Sequence, residues 1–393
     1  MDVLLSEEEQ MVKNLAREFL EGECPPSLAR AMETDDLGYP PELWKQMADL
    51  GWLGMSLPEE YGGQGLPLAY LGIILEEVGR AIAPVPFHST MVAALAINAH
   101  GAEQQRREIL LGVASGATIL AWAFSERDTR FLPETIQLQA ARDGDDFILS
   151  GTKMFVDNFS VAEKCLVVCR TGGPAGDDPR KGISLLLVDT ASQGLSHTPL
   201  TTLAKDKQSV VDFDHVRVPA SNLVGQLDQG WGAAQEMLDR GTALLCAQMV
   251  GAARKDTEMG IEYAKGRVAF GRPIAAFQSI QHMCADMTIW IDGCQLLTYE
   301  ALWKMDQGQP AGLEVSQAKA FCNDKCEAAV RSSQVIHGGI GFMMEFDLHL
   351  WFRRVSAWTM RMGTTFEHRA RIAKTLLDQP GKVRLGMPLA PVP

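Results

Sequence analysis

Residues 134–158, ETIQLQAARDGDDFILSGTKMFVDN, read as β-rich runs broken by turn residues, with DGDD (143–146) as a hairpin turn. Similar runs lie on either side: TILAWAFSE (118–126), KCLVVCRTG (164–172), GISLLLVD (182–189) and VVDFDHVRVP (210–219). Together they predict a small β-domain over 119–226. What surrounds it decides the fold class.

On both sides the texture is helical. SEEEQMVKNLAREFLEG (6–22) opens with Ser6 as an N-cap and acidic residues in its first turn. PELWKQMADLGWLG (41–54) reads as a helix stopped by Gly51, and LAYLGIILEEVGRAIAP (68–84) as one ended by Pro84. LPEEYGGQGLP (57–67) is a loop, and two more helices fill 86–116. From residue 230 the long apolar periodicities suit a four-helix bundle. The expectation is an α+β protein in three parts. A helical domain over 1–118 precedes the β-domain, a helical bundle follows over 227–380, and 381–393 form an irregular tail.

Composition narrows the function. The 393 residues carry a net charge of −13, with 46% hydrophobic and 22% charged residues. No basic cluster suggests nucleic acid as a partner, since phosphate binding needs grouped Lys and Arg. No apolar run is long enough to imply membrane insertion. MDVLLSEEEQ lacks the features of a signal or transit peptide, so a cytoplasmic protein is expected. The eight cysteines are scattered. The pairs Cys165/Cys169 and Cys322/Cys326 lack C-x-x-C spacing and a nearby His cluster, which favours buried, reduced thiols over a metal site.

The order of parts and five local motifs resemble the acyl-CoA dehydrogenase family over nearly the whole chain. The motifs are LGWLGMSLPEEYGGQGLPLAYLGIILEEVGRA (50–81), DDFILSGTKMFVDN (145–158), VRVPASNLVG (216–225), GRVAFGRPIAAFQSIQHMCADM (266–287) and QVIHGGIGFMMEFDLHLWFRR (334–354). The resemblance implies FAD held between β-domain and bundle, its adenosine end reaching a neighbouring subunit. With no G-x-G-x-x-G motif, Arg267 is implied as the pyrophosphate contact, a role its planar fork suits. Phe270 and Gln278 are in register with it, Gln278 toward ribose or adenine. Gln334 and the Gly338–Gly339 pair would let backbone approach the cofactor closely. In the β-domain, Phe124 and Ser125 would offer hydrogen bonds to the flavin edge. Phe155 would pack on the ring, Asp157 would stand near N5, and Thr364 would contact the cofactor from the C-terminal motif.

Three departures follow. RDTRFLPE (127–134) replaces a Pro/Gly-rich turn and puts Phe131 beside the acyl-CoA path. The family glutamate base precedes Gly-Thr; here WTMRMGTTFEHRARIAK (358–374) places Met362 there, able to give a backbone N–H to an oxyanion but not to take a proton. The alternative glutamate home on the first bundle helix is Gly241, followed by Thr242. Loss of a general base costs roughly 10²–10⁴-fold in rate. Asp157 and His88 are the remaining base candidates.

Two functions stay open. The favoured one is an FAD-dependent acyl-CoA dehydrogenase forming an α,β-unsaturated acyl-CoA from a bulky, branched or alicyclic substrate, with a displaced base. Phe87, His88, Phe131, Leu238, Asp239 and Gly241 would line its substrate site, and electrons would leave to an electron-transfer flavoprotein from a homotetramer or dimer. The other is a non-catalytic subunit of a heteromeric enzyme that completes the FAD site of a related chain, as the resemblance implies for some relatives in steroid and alicyclic acid breakdown. Oxidase use of the same fold is a third possibility.

Overall fold

The computed structural model describes residues 5–173 and 178–377; the tail expected at 381–393 lies outside them. Six helices come first: α1 (Glu7–Glu23), α2 (Pro26–Met32), α3 (Pro41–Asp49), α4 (Leu68–Arg80), α5 (Phe87–His100) and α6 (Glu103–Ala114). Ser6 caps α1 through a reciprocal pair with Glu9: its hydroxyl accepts from the Glu9 N–H, and the Glu9 carboxylate accepts from the Ser6 N–H. After α3 the chain turns at Gly51, whose φ of 77° is open to glycine without strain.

Eight strands build the middle section: β1 (Leu120–Ala123), β2 (Gln139–Asp143), β3 (Asp146–Asp157), β4 (Lys164–Arg170), β5 (Ile183–Asp189), β6 (Leu195–Pro199), β7 (Gln208–Pro219) and β8 (Leu223–Val224). They form one sheet in the order β6-β7-β3-β2-β4-β5-β8, with β1 parallel to β4. Asp143 pairs with Asp146 across a two-residue turn in which Gly144 takes φ 62°, the position where a hairpin of this length favours glycine. Lys153, wholly buried, ties the end of β1 to β3 by donating to the Phe124 carbonyl at 2.8 Å and to Glu126 at 2.7 Å.

The C-terminal part contains α7 (Trp231–Gly266), a short hairpin of β9 (Val268–Ala269) and β10 (Arg272–Pro273), then α8 (Gln278–Asp306), α9 (Gly312–His337), α10 (Leu348–Trp358) and α11 (Thr365–Leu377). Helices α7, α8, α9 and α11 form the bundle, and α10 packs across α7 and α9. No described helix is long and apolar enough to cross a membrane.

The N-terminal helices are locked to this bundle. Asp306 at the end of α8 accepts the Leu68 and Ala69 N–H groups at 2.6 and 3.1 Å, so it caps α4, whose N-cap Pro67 has no capping side chain. The buried Glu76 of α4 accepts from Lys13 of α1 at 2.7 Å and from Tyr299 of α8 at 2.8 Å. Helices α4 and α7 approach at two glycines. A Cβ on Gly251 would lie 1.7 Å from the Glu76 carbonyl oxygen, and one on Gly79 would lie 2.0 Å from that of Gln248. Neither obstacle is a flexible side chain. Gly251→Ala is therefore expected to cost about 1–3 kcal/mol through forced separation of the helices. Urea unfolding of this variant beside Gly22→Ala, where a Cβ meets nothing within 4 Å, checks it; equal stabilities would refute the close approach.

Candidate active site

The site is organised by the turn between α10 and α11, which carries Met362 at φ 55° and Gly363 at φ 101°. Three carbonyls of this turn meet buried donors. Lys319 donates to Trp358 O at 2.7 Å, Asn323 to Gly363 O at 3.3 Å, and His368 Nε2 meets Met362 O at 2.9 Å. Burial pushes the His368 imidazole down to about 3, and the nearby Lys319 and Arg371 add to this. The ring is thus neutral and donates through Nε2. The Met362 N–H has no hydrogen-bond partner among the described residues, as an oxyanion donor requires. Thr364 caps α11: its hydroxyl oxygen accepts the Glu367 N–H at 3.4 Å, and the Glu367 carboxylate accepts the Thr364 N–H and hydroxyl at 2.8 Å.

The Met362 side chain is buried and lies over Gly241: a Cβ at position 241 would come within 2.5 Å of the Met362 methyl carbon. The two places where the family carries a glutamate face each other, and the thioether fills the space between them. His88 closes the same spot from α5, its Nε2 at 2.9 Å from the Gly241 carbonyl. A carbonyl only accepts, so this nitrogen carries the proton. Burial, the largest influence, pushes the His88 imidazole down to about 4, with the Arg361 and Lys319 charges adding to it.

Asp157, the other base candidate, ends β3 and forms an ion pair with Arg361 of the turn, and Arg361 also reaches Asp206 at 3.3 Å. Burial holds the Arg361 guanidinium down to about 10, still charged at neutral pH. Its side chain therefore crosses from the bundle to the β-domain. The cavity there is lined by His88, Asp157, Asn158, Asp206, Arg361 and Met362. Arg361, Asp206, Lys319, Asn323 and His368 were not identified from the sequence. A basic residue directly before Met362 was the one visible sign, and it carried meaning only once Asp157 was known to lie opposite.

Several expected contacts are reassigned. Phe87 is fully buried and packs edge-on against Trp44, 6.4 Å between ring centres, so it belongs to the core and not to a substrate wall. Asp239 pairs with Arg371 at 2.8 Å and accepts from Gln235 at 3.0 Å, which commits it to joining α7 and α11. Leu238 is buried, and its carbonyl accepts the Thr242 hydroxyl at 2.6 Å. The Phe124 carbonyl is taken by Lys153, and its ring stacks on Phe131 at 5.3 Å. The Phe131 N–H in turn points to Glu367 at 3.4 Å. The Ser125 carbonyl accepts from Met154 N–H at 2.8 Å, leaving the Ser125 hydroxyl without a partner among the described residues. Phe155 takes φ 56° and stays partly exposed.

The far end of the bundle differs. Arg267 follows α7, is exposed, and makes no side-chain hydrogen bond or ion pair among the described residues. Phe270, at the β9–β10 turn, is 95% exposed and touches only the edge of Phe277, 6.1 Å between ring centres. Gln278 opens α8 on the same exposed surface. Gln334 is buried, yet its Oε1 lacks a donor. Gly338, at φ 61° and ψ −138°, and Gly339 both face open space, where a Cβ would meet nothing within 4 Å. An unpaired guanidinium, an orphaned amide oxygen and bare backbone fit a diphosphate-bearing cofactor approaching from outside the chain.

Family models cover almost the whole length: acyl-CoA dehydrogenase N-terminal domain over 6–117, middle domain over 121–216 and C-terminal domain over 228–377. The chain belongs to the acyl-CoA dehydrogenase family. The probable acyl-CoA dehydrogenase YngJ of Bacillus subtilis is 31% identical over 385 residues, 96% of this chain and 100% of that protein. Among solved structures, the Tcur3481–Tcur3483 steroid ACAD G363A variant is 31% identical with a TM-score of 0.85, covering 95% of this chain and 98% of that one. The ChsE4–ChsE5 complex of Mycobacterium tuberculosis is 25% identical with a TM-score of 0.88, covering 97% and 100%. That family consists of FAD-dependent oxidoreductases that act on acyl-CoA. The fit to FAD divides by location. The Arg267 edge suits its pyrophosphate and adenosine end, whereas the gap between Asp157 and Met362 is crossed by Arg361.

The buried His368 and the half-buried His88 generate a pH dependence. Each is held below its unfolded value of 6.5, so the unfolded chain binds more protons as pH falls below that value. Stability is complete above about pH 6.5 and declines through the folded values of about 4 and about 3. For His88 the full loss is about 3 kcal/mol. Unfolding free energies from pH 7 to 5 should fall less steeply in His88→Gln than in the parent; parallel slopes would show that His88 is not buried neutral.

Proposed function

We propose that this chain is the non-catalytic subunit of a heteromeric acyl-CoA dehydrogenase, completing the FAD site of a related chain that retains the glutamate base. The carrying observation is Arg361, whose guanidinium bridges Asp157 and Asp206 across the gap where the resemblance puts the flavin edge. The displaced-base reading is weakened at both candidates. Asp157 is committed to a guanidinium, and burial holds the His88 imidazole down to about 4, which leaves its free ring nitrogen a weak base. No carboxylate stands where Met362 and Gly241 pack together.

FAD, when bound by the assembly, supplies the hydride acceptor for oxidation of the acyl chain. The residues of this chain serve to hold it. Arg267 would neutralise pyrophosphate charge, Gln278 and the Gln334 Oε1 would meet ribose or adenine donors, and Gly338–Gly339 would admit its close approach. Phe270, Val268 and Phe342 are exposed large apolar groups of the same C-terminal region, and such groups suit a subunit interface. The Tcur3481–Tcur3483 and ChsE4–ChsE5 assemblies, each named as two different chains, support a two-chain enzyme here. The first is named a steroid ACAD, which supports a bulky, alicyclic acyl group. Electrons would leave from the catalytic chain's flavin to an electron-transfer flavoprotein.

Purified alone, the protein is expected to be colourless. Co-expressed with a related chain bearing glutamate before its Gly-Thr, it should give one flavin per pair. Arg267→Ala in this chain should weaken flavin retention by the pair about 10–100-fold, the value of a charged hydrogen bond of about 1.5–3 kcal/mol. One FAD per chain in the protein alone, bleached by an acyl-CoA under anaerobic conditions, would overturn the proposal.

A further inference from the structure

We infer that the thiols of Cys294, Cys322 and Cys326 form a Zn(II) site in the core of the C-terminal bundle. Cys322 and Cys326 stand one turn apart on α9, on one face, and Cys294 comes from α8. Their three sulfur atoms all lie within 4.8 Å of one another, and every one of the residues is buried. The Cys326–Cys294 sulfur distance is 3.7 Å. A tetrahedral ion with Zn–S bonds of about 2.3 Å needs an edge of about 3.8 Å, so this pair is already at ligand spacing. An all-sulfur donor set is the kind that selects zinc over the harder divalent ions.

Charge supports the assignment. Lys319, three residues before Cys322, is completely buried. Its ammonium is hydrogen-bonded only to neutral groups: Asn323 Oδ1 at 2.7 Å, Trp358 O at 2.7 Å and Met249 Sδ at 3.6 Å. No carboxylate pairs with it among the described residues. A buried cation without a counter-ion is costly. Ligation by three thiols releases three protons to solvent, converting three R–SH and Zn²⁺ to [Zn(SR)₃]⁻ and 3 H⁺. The complex carries one negative charge, which the neighbouring ammonium balances. Metal binding would also brace α8 against α9 close to the lysine that holds the Trp358 carbonyl.

The test is metal analysis of the full chain expressed with added zinc and refolded from urea in the presence of Zn(II), with Co(II) as a spectroscopic probe. About one zinc per chain is expected, together with an intense sulfur-to-cobalt charge-transfer band in the Co(II) form. Cys322→Ala and Cys294→Ala should each lower zinc content at least tenfold and abolish that band. Cys165→Ala, a buried thiol of the β-domain, should retain both. Circular dichroism on each variant separates metal loss from unfolding, and Cys326→Ser gives a near-isosteric second probe. Folded parent protein without zinc and without the cobalt band overturns the inference. So does zinc retained equally by the folded Cys322→Ala and Cys294→Ala proteins.

Discussion

The buried guanidinium of Arg361 sets the relation between the bundle and the β-domain. It starts on the turn after α10 and ends between Asp157 of β3 and Asp206 of the loop before β7. Removing one partner of a buried ion pair leaves an uncompensated charge and costs about 3–5 kcal/mol. The contact therefore fixes how closely the two parts approach, and it does so at the level of the turn that carries Met362. What lies around it follows from that spacing: the neutral His88, the thioether over Gly241, and a turn whose carbonyls are held by Lys319, Asn323 and His368.

The two missing glutamates belong to one packing event. Met362 fits because position 241 has no Cβ, and a side chain at 241 would meet the thioether and Val92 within 2.8 Å. A carboxylate restored at position 241 would press against the Met362 thioether and the Val92 methyl. Interiors are close-packed, so a single substitution seldom recreates a working base in such a setting. The packing of Met362 on Gly241 and the placement of Arg361 both fill the space between bundle and β-domain with this chain's own side chains.

Much of the architecture was legible in sequence because it rests on local signals. The Ser6 cap, the Gly51 stop, the DGDD hairpin and the long periodic helices are each set by a few adjacent residues. The flanking Gly-Thr is likewise the local signal by which the sequence singles out Met362, and the turn there carries Met362 at φ 55°. The reassigned residues share a different character. Phe87, Asp239, Thr364 and the Phe124 carbonyl were placed by register with a motif, while their partners Trp44, Arg371, Glu367 and Lys153 come from other parts of the chain or from the opposite side of a cap. Register gives a position along an element but not the group that meets it. The Arg361–Asp157 pair is the strongest case, its members standing 204 positions apart in sequence.

The two ends of the cofactor path are built on opposite terms. Where the chain would serve its own flavin, Asp157 and Asp206 are paired with Arg361, and the interior is closed by charge and thioether. Where it would serve a neighbour, the guanidinium of Arg267 has no counter-ion, the Gln334 oxygen has no donor and the Gly338–Gly339 backbone is bare. Unsatisfied polar groups are expensive in a folded chain unless another molecule satisfies them. Solvent can serve Arg267, but the Gln334 oxygen is enclosed and needs a donor brought to it. A 95%-exposed Phe270 on the same edge adds apolar surface that a subunit contact would cover. Arg267, the Gln334 oxygen and Phe270 thus leave requirements at this end of the bundle that a diphosphate cofactor held by a second chain would meet together.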